Sequence, residues 1–246
     1  DADDVKDAWD AITGFDKTTH PGNIHASMQP IMENLEAGPS KGGNKYIDAD
    51  AAVGYEYPDV KSSYDQRDAA LYALGVGAAL DPNDDAGLQL VYEGHGGGMK
   101  VLPTYAVIPG LDAIMTMAKQ GNRPPGSNFG LDRILHGEQY TELLRPLASS
   151  AKLRSSSMVK DVFDKGKHAL VVNDVKTYDE DDNLLIKNEI TMLVRGAGGW
   201  GGDRGPSADV NVPPNRAPDK VVQEKIPDNQ ALLYRLSGDE NPLHVD

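Results

Sequence analysis

The sequence predicts an α+β fold, an antiparallel sheet beside one substantial helix. Two stretches carry that expectation. The first is HALVVNDVKTYDEDDNLLIKNEITMLVRGAG, within a strand-rich region from about 150 to 196. Two β-rich runs there flank the polar tip DEDDN, which reads as a hairpin, with Val171, Val175, Thr191 and Val194 supplying β-branched content. SSMVKDVFDKGK, just before it, reads as a partner strand. The second is YDQRDAALYALGVGAA, which reads as a helix from Tyr64 to Ala79. Asp65 or Ser63 can cap its start, and Leu71, Leu74 and Ala78 share one face.

The remaining elements follow in chain order. In the leader, Ile24, Met28, Ile31, Met32 and Leu35 could form one helical stripe. AGPSKGGNKYIDADAA then has the Gly, Pro, Ser and charge content of a linker. The leader reads either as a flexible arm or as the tail of a preceding domain with its tether. After the helix come an apolar segment, LQLVYEG, and a second, LPTYAVIPG, with prolines marking its ends. LDAIMTMAKQG reads as a short helix and GNRPPGSNFG as loop. From Gly196 a second linker runs through GAGGWGGDRGPSADVNVPPNRAPD. KVVQEKIPDNQALLYRLSGDENPLHVD then reads as the opening of another folded unit. No strict short-period repeat stands out. The expected layout is a leader and linker over 1–48, a first unit over 49–200, a linker over 201–218, and the start of a second unit over 219–246.

Composition bounds the function. The 246 residues are 39% hydrophobic and 25% charged, enough for one or two soluble domains with a sizeable core. A formal net charge of −14 argues against general nucleic-acid binding, which needs clustered Lys and Arg, although a local basic pocket could still hold an anionic molecule. With no cysteine, disulfides, thiol nucleophiles and thiolate metal sites are excluded. No apolar run reaches the roughly 18 residues of a membrane helix. The acidic start, DADDVKDAWD, is neither a signal nor a transit peptide, and it suggests a piece of a longer chain.

Several motifs fail on context. Gly196, Gly198 and Gly201 satisfy G-x-G-x-x-G, but the breaker-rich DRGPSADVNVPPN follows in place of the helix a dinucleotide needs. GHGGGMK lacks the Ser or Thr of a P-loop. Neither G-x-S-x-G nor H-E-x-x-H occurs. Asp239, His244 and Asp246 form too compact and mixed a set to suggest a metal centre, so none is expected.

The end of the chain, SGDENPLHVD, is more informative. Asn241 and Pro242 suit the cap and first position of a helix. Asp239 then lies in the preceding turn and His244 in the first helical turn, so both can face one small volume. Gly238 tolerates the tight approach. A neutral imidazole can take a proton while a carboxyl holds or delivers another, which is what adding water across a polarised double bond requires. An Asn-Pro helix cap carrying a surface Asp and His fits the same residues.

GDENPLH resembles the G-D-x-N-P-(apolar)-H signature of the (R)-specific enoyl-CoA hydratases, or hydratase type 2. The likeness extends upstream through YALGVGA (72–78), VYEG (91–94), LPTYAVIPG (102–110), LHGEQY (135–140), DKG (164–166), PNRAPD (214–219) and ALLYRLSGD (231–239). In combination these are similar to the hydratase region of the type 2 peroxisomal multifunctional enzymes of fatty-acid β-oxidation. The leader AWDAITGFDKTTHPGNIHASMQPIMENLEA is similar to the tail that follows their dehydrogenase domain.

The resemblance implies a double hot-dog fold, each unit an antiparallel sheet wrapped round a helix, and hydration of a trans-2-enoyl-CoA to a (3R)-3-hydroxyacyl-CoA. It implies that Asp239 and His244 are the acid/base pair and that Asn241 orients the water. Asp239, Glu240, Asn241, Pro242, Leu243 and His244 would line the thioester, and His136, Gly137 and Lys165 would contact the acyl-CoA. On sequence alone Lys165 equally suits a hairpin-end lysine, and His136 a buried structural histidine. Acyl-CoA enters as substrate, with no resident cofactor. A homodimer, a covalently linked dehydrogenase domain and a peroxisomal location follow from the resemblance only. In the family the chain continues past the signature, supplying a glycine N–H to the thioester oxygen and the closing strands. Those residues are not in this sequence, so the second unit is expected to be incomplete. An acyl-CoA-binding module without turnover is the alternative.

Overall fold

The computed structural model describes residues 42–206, 212–239 and 244. Its frame is a five-stranded antiparallel sheet in the order β1-β3-β4-β5-β2. The strands are β1 (Val60–Tyr64), β2 (Ile134–Leu143), β3 (Ala151–Asp164), β4 (Ala169–Tyr178) and β5 (Leu184–Val194). The hairpin expected around DEDDN is the β4–β5 pair, with Asp174 opposite Glu189 and Val171 opposite Met192. Asp179 closes its turn by accepting the N–H groups of Asp181 and Asn183 at 3.0 and 2.8 Å.

The helix that fills the sheet is not the one expected. Helix α2 (Gln66–Gly75) forms where the sequence suggests, capped by Asp65, but its buried residues include Ala69, Tyr72 and Ala73, while Leu74 is 40% exposed. The expected Leu71, Leu74 and Ala78 face is therefore not the buried one. The core helix is α4 (Val107–Lys119), which joins the end of LPTYAVIPG to LDAIMTMAK. Pro103 and Pro109 mark helix starts rather than segment ends: each stands in a first turn, where its missing N–H has no intrahelical partner to lose. Gly110, Ala113, Ile114 and Met117 recur at i, i+3, i+4 and i+7, the helical stripe that meets a sheet. Ala113, Ile114 and Met117 pack over Val60, Val175 and Ile190. LQLVYEG likewise contributes to a short helix, α3 (Asp85–Val91), capped by Asp84.

The sheet face under α4 alternates with period two and mixes apolar with polar side chains. Ser155, Asn173, Thr177 and Asn188 are each no more than 1% exposed. Ser155 and Thr177 satisfy one another at 2.9 Å. Asn188 is the hub. Its amide donates to the Ala106 carbonyl at 3.0 Å, and its oxygen accepts from Gln139 Nε2 at 2.9 Å and Thr141 Oγ1 at 2.7 Å. A Cβ on Gly110 would lie 2.7 Å from the Asn188 amide nitrogen, so the helix approaches this closely only with glycine there.

Both expected linkers are packed where they meet the fold. Ile47 is fully buried, Asn44 Nδ2 donates to the Gly196 and Gly198 carbonyls, and Asp48 caps α1 (Ala49–Ala52). A boundary at 48 thus falls inside a packed segment. The second linker begins as a clasp around Asp164. That carboxylate accepts from the backbone N–H of Gly166, Gly199, Gly201 and Gly202 at 2.8, 2.8, 2.7 and 3.3 Å. The glycine pattern 196–201 therefore encloses an internal carboxylate, and a loop rather than a helix follows it. Gly198 is needed for closeness, since a Cβ there would sit 2.4 Å from the His168 carbonyl oxygen. Residues 1–41, with their expected helical stripe, lie outside the described residues. Of the expected second unit, the described residues hold α5 (Gln230–Tyr234) and the turn after it, and no second sheet.

Two stability predictions follow. Asn188→Ala strands the Ala106 carbonyl and loosens Gln139 and Thr141, so it should cost about 2–3 kcal/mol in urea unfolding. Burial alone would raise the Asp164 carboxyl, but its backbone N–H partners outweigh burial and hold it below its ordinary value. A depressed folded pKa contributes stability above the unfolded value, near ~4, and loses it as pH falls through the folded value. Asp164→Ala should therefore cost about 3 kcal/mol at pH 7, and its gap to the parent should narrow below about pH 4.

Candidate functional site

Helix α5 is followed by a single 3-10 turn, Arg235–Ser237, which ends at Gly238 with φ +120°. An L side chain rarely adopts that conformation, so the turn that presents Asp239 needs glycine at 238. There Asp239 Oδ2 meets His244 Nε2 at 3.2 Å. The Asp239 side chain is 21% exposed and that of His244 45%, so the pair is shielded on the carboxylate side and reachable from the imidazole side. Of the predicted site residues, Glu240, Asn241, Pro242 and Leu243 lie outside the described residues, and so does the helix start expected at Asn241-Pro242.

A cavity of about 230 Å³ opens beside this corner. Tyr64, Tyr105, Ile108 and Leu153 line it with Leu236, Ser237 and Gly238, the three residues before Asp239. Burial pushes the Tyr64 phenol up to about 12, and its hydroxyl donates to the Ala148 carbonyl at 2.7 Å. Burial, then the nearby carboxylate of Asp68, holds the Tyr105 phenol well above its ordinary value. Both phenols are neutral near pH 7 and present ring surface. Sequence reasoning missed these cavity residues because they come from distant segments. Only Leu236, Ser237 and Gly238 were signalled, by their place next to Asp239.

His136, Gly137 and Lys165 sit elsewhere. His136 and Gly137 lie at a bulge in β2, where the register shifts between His136 and Glu138. His136 is exposed and its Nε2 meets Gln139 Oε1 at 3.1 Å, so it is not a buried structural histidine. Lys165 follows the last residue of β3 and donates to the Pro206 carbonyl at 2.8 Å. Burial first, and the neighbouring Arg204 second, lower its pKa. The register separates these residues from the pair. Tyr64, beside the cavity, is opposite Ala151 at the start of β3, whereas Lys165 lies beyond its far end, roughly 40 Å of strand away. His136 is level with Val162, through Met192 and Val171, three residues before Lys165. Within one chain the structure brings Asp239 and His244 together and sets His136, Gly137 and Lys165 at the other end of the sheet. Among the described residues no three His, Asp or Glu side chains gather to hold a metal ion, and no helix is long and apolar enough to cross a membrane.

The chain is similar in sequence and fold to known proteins. The peroxisomal multifunctional enzyme type 2 of Drosophila melanogaster is 37% identical over 247 residues, 98% of this chain and 39% of the relative. The chain thus spans about two fifths of that multifunctional protein. The peroxisomal enoyl-CoA hydratase 2 of Arabidopsis thaliana is 37% identical over 212 residues, 81% of this chain and 67% of the relative. Among solved structures, a MaoC-like dehydratase from Phytophthora capsici superposes with a TM-score of 0.67 at 30% identity, over 81% of this chain and 68% of that one. The antiparallel sheet on a central helix is the hot-dog arrangement those enzymes share. The family described as the MFE-2 hydratase 2 N-terminal domain matches residues 62–196, from β1 to just past β5, so the chain belongs to that family.

Proposed function

We propose that the chain is the hydratase part of a multifunctional enzyme, an (R)-specific hydro-lyase that adds water to a trans-2-enoyl-CoA. The observation that carries this reading is the Asp239–His244 contact at 3.2 Å beside a cavity walled by tyrosine and aliphatic side chains, with Asp68, Asp112 and serines at its polar parts. Hydration moves the water oxygen to C3 and one of its protons, on balance, to C2. A carboxyl–imidazole pair that holds one proton between its members can perform both transfers: the unprotonated member withdraws a proton from water as the C3–O bond forms, the protonated member delivers its proton to C2, and passage of the captured proton between the two resets the pair. The cavity would take the acyl chain, and Asn241 would orient the water. The residues from Asp239 through Glu240, Pro242 and Leu243 to His244 would border the thioester. The acyl-CoA is substrate, and the reading assigns no resident cofactor.

The same reading gives His136, Gly137 and Lys165 to the CoA end of the substrate. Lys165 and Arg204 supply neighbouring cations for phosphate in an otherwise acidic chain. Because these groups lie at the opposite end of the sheet from the pair, they would serve the pair of a second copy. Twofold pairing of β2 edges runs the two strands antiparallel, which sets the His136 end of one sheet beside the Leu143 end of the other. Names of relatives support a peroxisomal setting and enoyl-CoA hydration, and the β-oxidation role rests on the family resemblance. The resemblance of the leader to the tail after a dehydrogenase domain supports a covalent link to one.

Mixed with crotonyl-CoA or a medium-chain trans-2-enoyl-CoA, the protein should bleach the conjugated thioester absorbance and yield only the (3R) product. Asp239→Asn and His244→Gln should each slow this by roughly a hundred- to ten-thousand-fold. Rates untouched by either substitution would sink the site assignment. Binding without bleaching would leave a module that holds acyl-CoA without converting it.

A further inference from the structure

Two segments of this chain are alike and pack on one another. Ala69–Gly77, AALYALGVG, and Ala231–Asp239, ALLYRLSGD, share Ala, Leu, Tyr and Leu at matched places. Tyr72 meets its counterpart Tyr234 with ring centroids 6.0 Å apart and the planes tilted by 55°. Tyr72 also stands edge-on to Tyr105 at 5.3 Å, and Tyr105 packs on Tyr64 at 4.9 Å. Four rings thus run from β1 to the segment that ends at Asp239.

The backbones approach closely at one point. A Cβ on Gly75 would lie 2.9 Å from Tyr234 Cα, nearer than real Cβ atoms come to a neighbour. Gly75 is the last residue of α2 and has no positive φ, so its missing side chain serves the approach rather than an unusual dihedral. Gly77 repeats the fit more loosely, with a Cβ reaching 3.1 Å from Gln230 Nε2. From Tyr234 the chain reaches Asp239 through one 3-10 turn and Gly238.

We propose that Gly75 and Tyr72 are positioning residues for the Asp239–His244 pair: the glycine notch at the end of α2 seats Tyr234, and that seat sets where the Asp239 carboxylate points. This rests on the reading of Asp239 and His244 as the acid/base pair. Neither Gly75 nor Tyr72 touches substrate in it. A methyl group at Gly75 must move the Tyr234 backbone by several tenths of an ångström, and catalysis by a positioned acid and base is sensitive to shifts of that order.

The test uses the full chain and crotonyl-CoA. Gly75→Ala should lower kcat by about ten- to a hundredfold while KM stays within about twofold and the thermal midpoint within a few degrees. In an Asp239→Asn background the same substitution should change the residual rate by less than about twofold, because its effect passes through that carboxylate. Tyr72→Leu should act in the same direction, and Tyr72→Phe, which keeps the ring, should restore kcat; this pair carries the test if Gly75→Ala does not fold. A folded Gly75→Ala with unchanged kcat, a Tyr72→Leu that leaves kcat unaltered, or a Gly75→Ala loss that multiplies in full on Asp239→Asn overturns the proposal. Asp239→Asn that leaves the rate unchanged removes the acid/base reading itself, a result separable from the other three.

Discussion

The height of α4 above the sheet governs much else in this molecule. That height is set where Gly110 rests on Asn188 and where the Asn188 amide takes the Ala106 carbonyl. An apolar residue at 188 could pack against a helix but could not fix its register, because dispersion contacts are not directional. An amide with three partners can do so, since each missed hydrogen bond inside a protein costs about 1–3 kcal/mol. With the first turn of α4 held there, Ile108, Pro109, Leu111 and Asp112 are left bordering the cavity beside Gly238. The polar hub under the helix and the cavity at its start are therefore one construction. The sheet holds the helix by its first turn, and the first turn shapes the cavity wall.

Close approach by glycine recurs in three roles. Gly110 lets a helix meet an amide, Gly198 lets a loop meet the His168 carbonyl, and Gly75 lets one helix meet another. The loop after β5 adds a fourth feature. Its N–H groups converge on Asp164 as those of a phosphate-binding loop converge on an anion, but the anion here belongs to the protein. A glycine-rich pattern is thus evidence for converging backbone donors and says nothing of what they hold. That was decided by an aspartate 34 residues before Gly198, a partner no local motif can reveal.

This explains how much of the molecule was legible in advance. The β4–β5 hairpin and the α2 cap were readable because each is settled within a few residues, by β-branched content around a polar tip and by Asp65 before a helical run. The Asp239–His244 contact, five positions apart across a turn, was allowed by spacing, but the same residues suited a helix cap with a surface Asp and His, and it was the resemblance that favoured a pair. The core helix was misjudged because Pro109 looks like a boundary when it is tolerated in a first turn. The buried face of α2 differs from the leucine stripe because Tyr72 faces an aromatic cluster assembled from β1, Tyr105 and α5, and tertiary packing outweighs a stripe of leucines. The likeness of AALYALGVG to ALLYRLSGD was present in the letters. It is separated by 162 residues, so a search for short periods passes over it, and only its folding face to face makes it physical.

The charge distribution completes the argument. A chain at −14 should repel an anionic thioester, yet at physiological ionic strength exposed charges more than about 8 Å apart are largely screened. What an incoming phosphate meets is local. Near Lys165 stands Arg204, close enough to depress the lysine, while Glu138 and Asp203 act on it in the opposite sense and more weakly. The Asp164 clasp holds the Gly199–Gly202 strap that leads to Arg204, and the Asp164 N–H donates to the Asp203 carbonyl at 2.7 Å. A buried negative charge thereby keeps a positive one beside Lys165. The acidity of the whole and the basicity of this corner are compatible because the backbone amides around Asp164 offset its charge at contact distance, leaving an exposed Arg204 beside the half-buried Lys165.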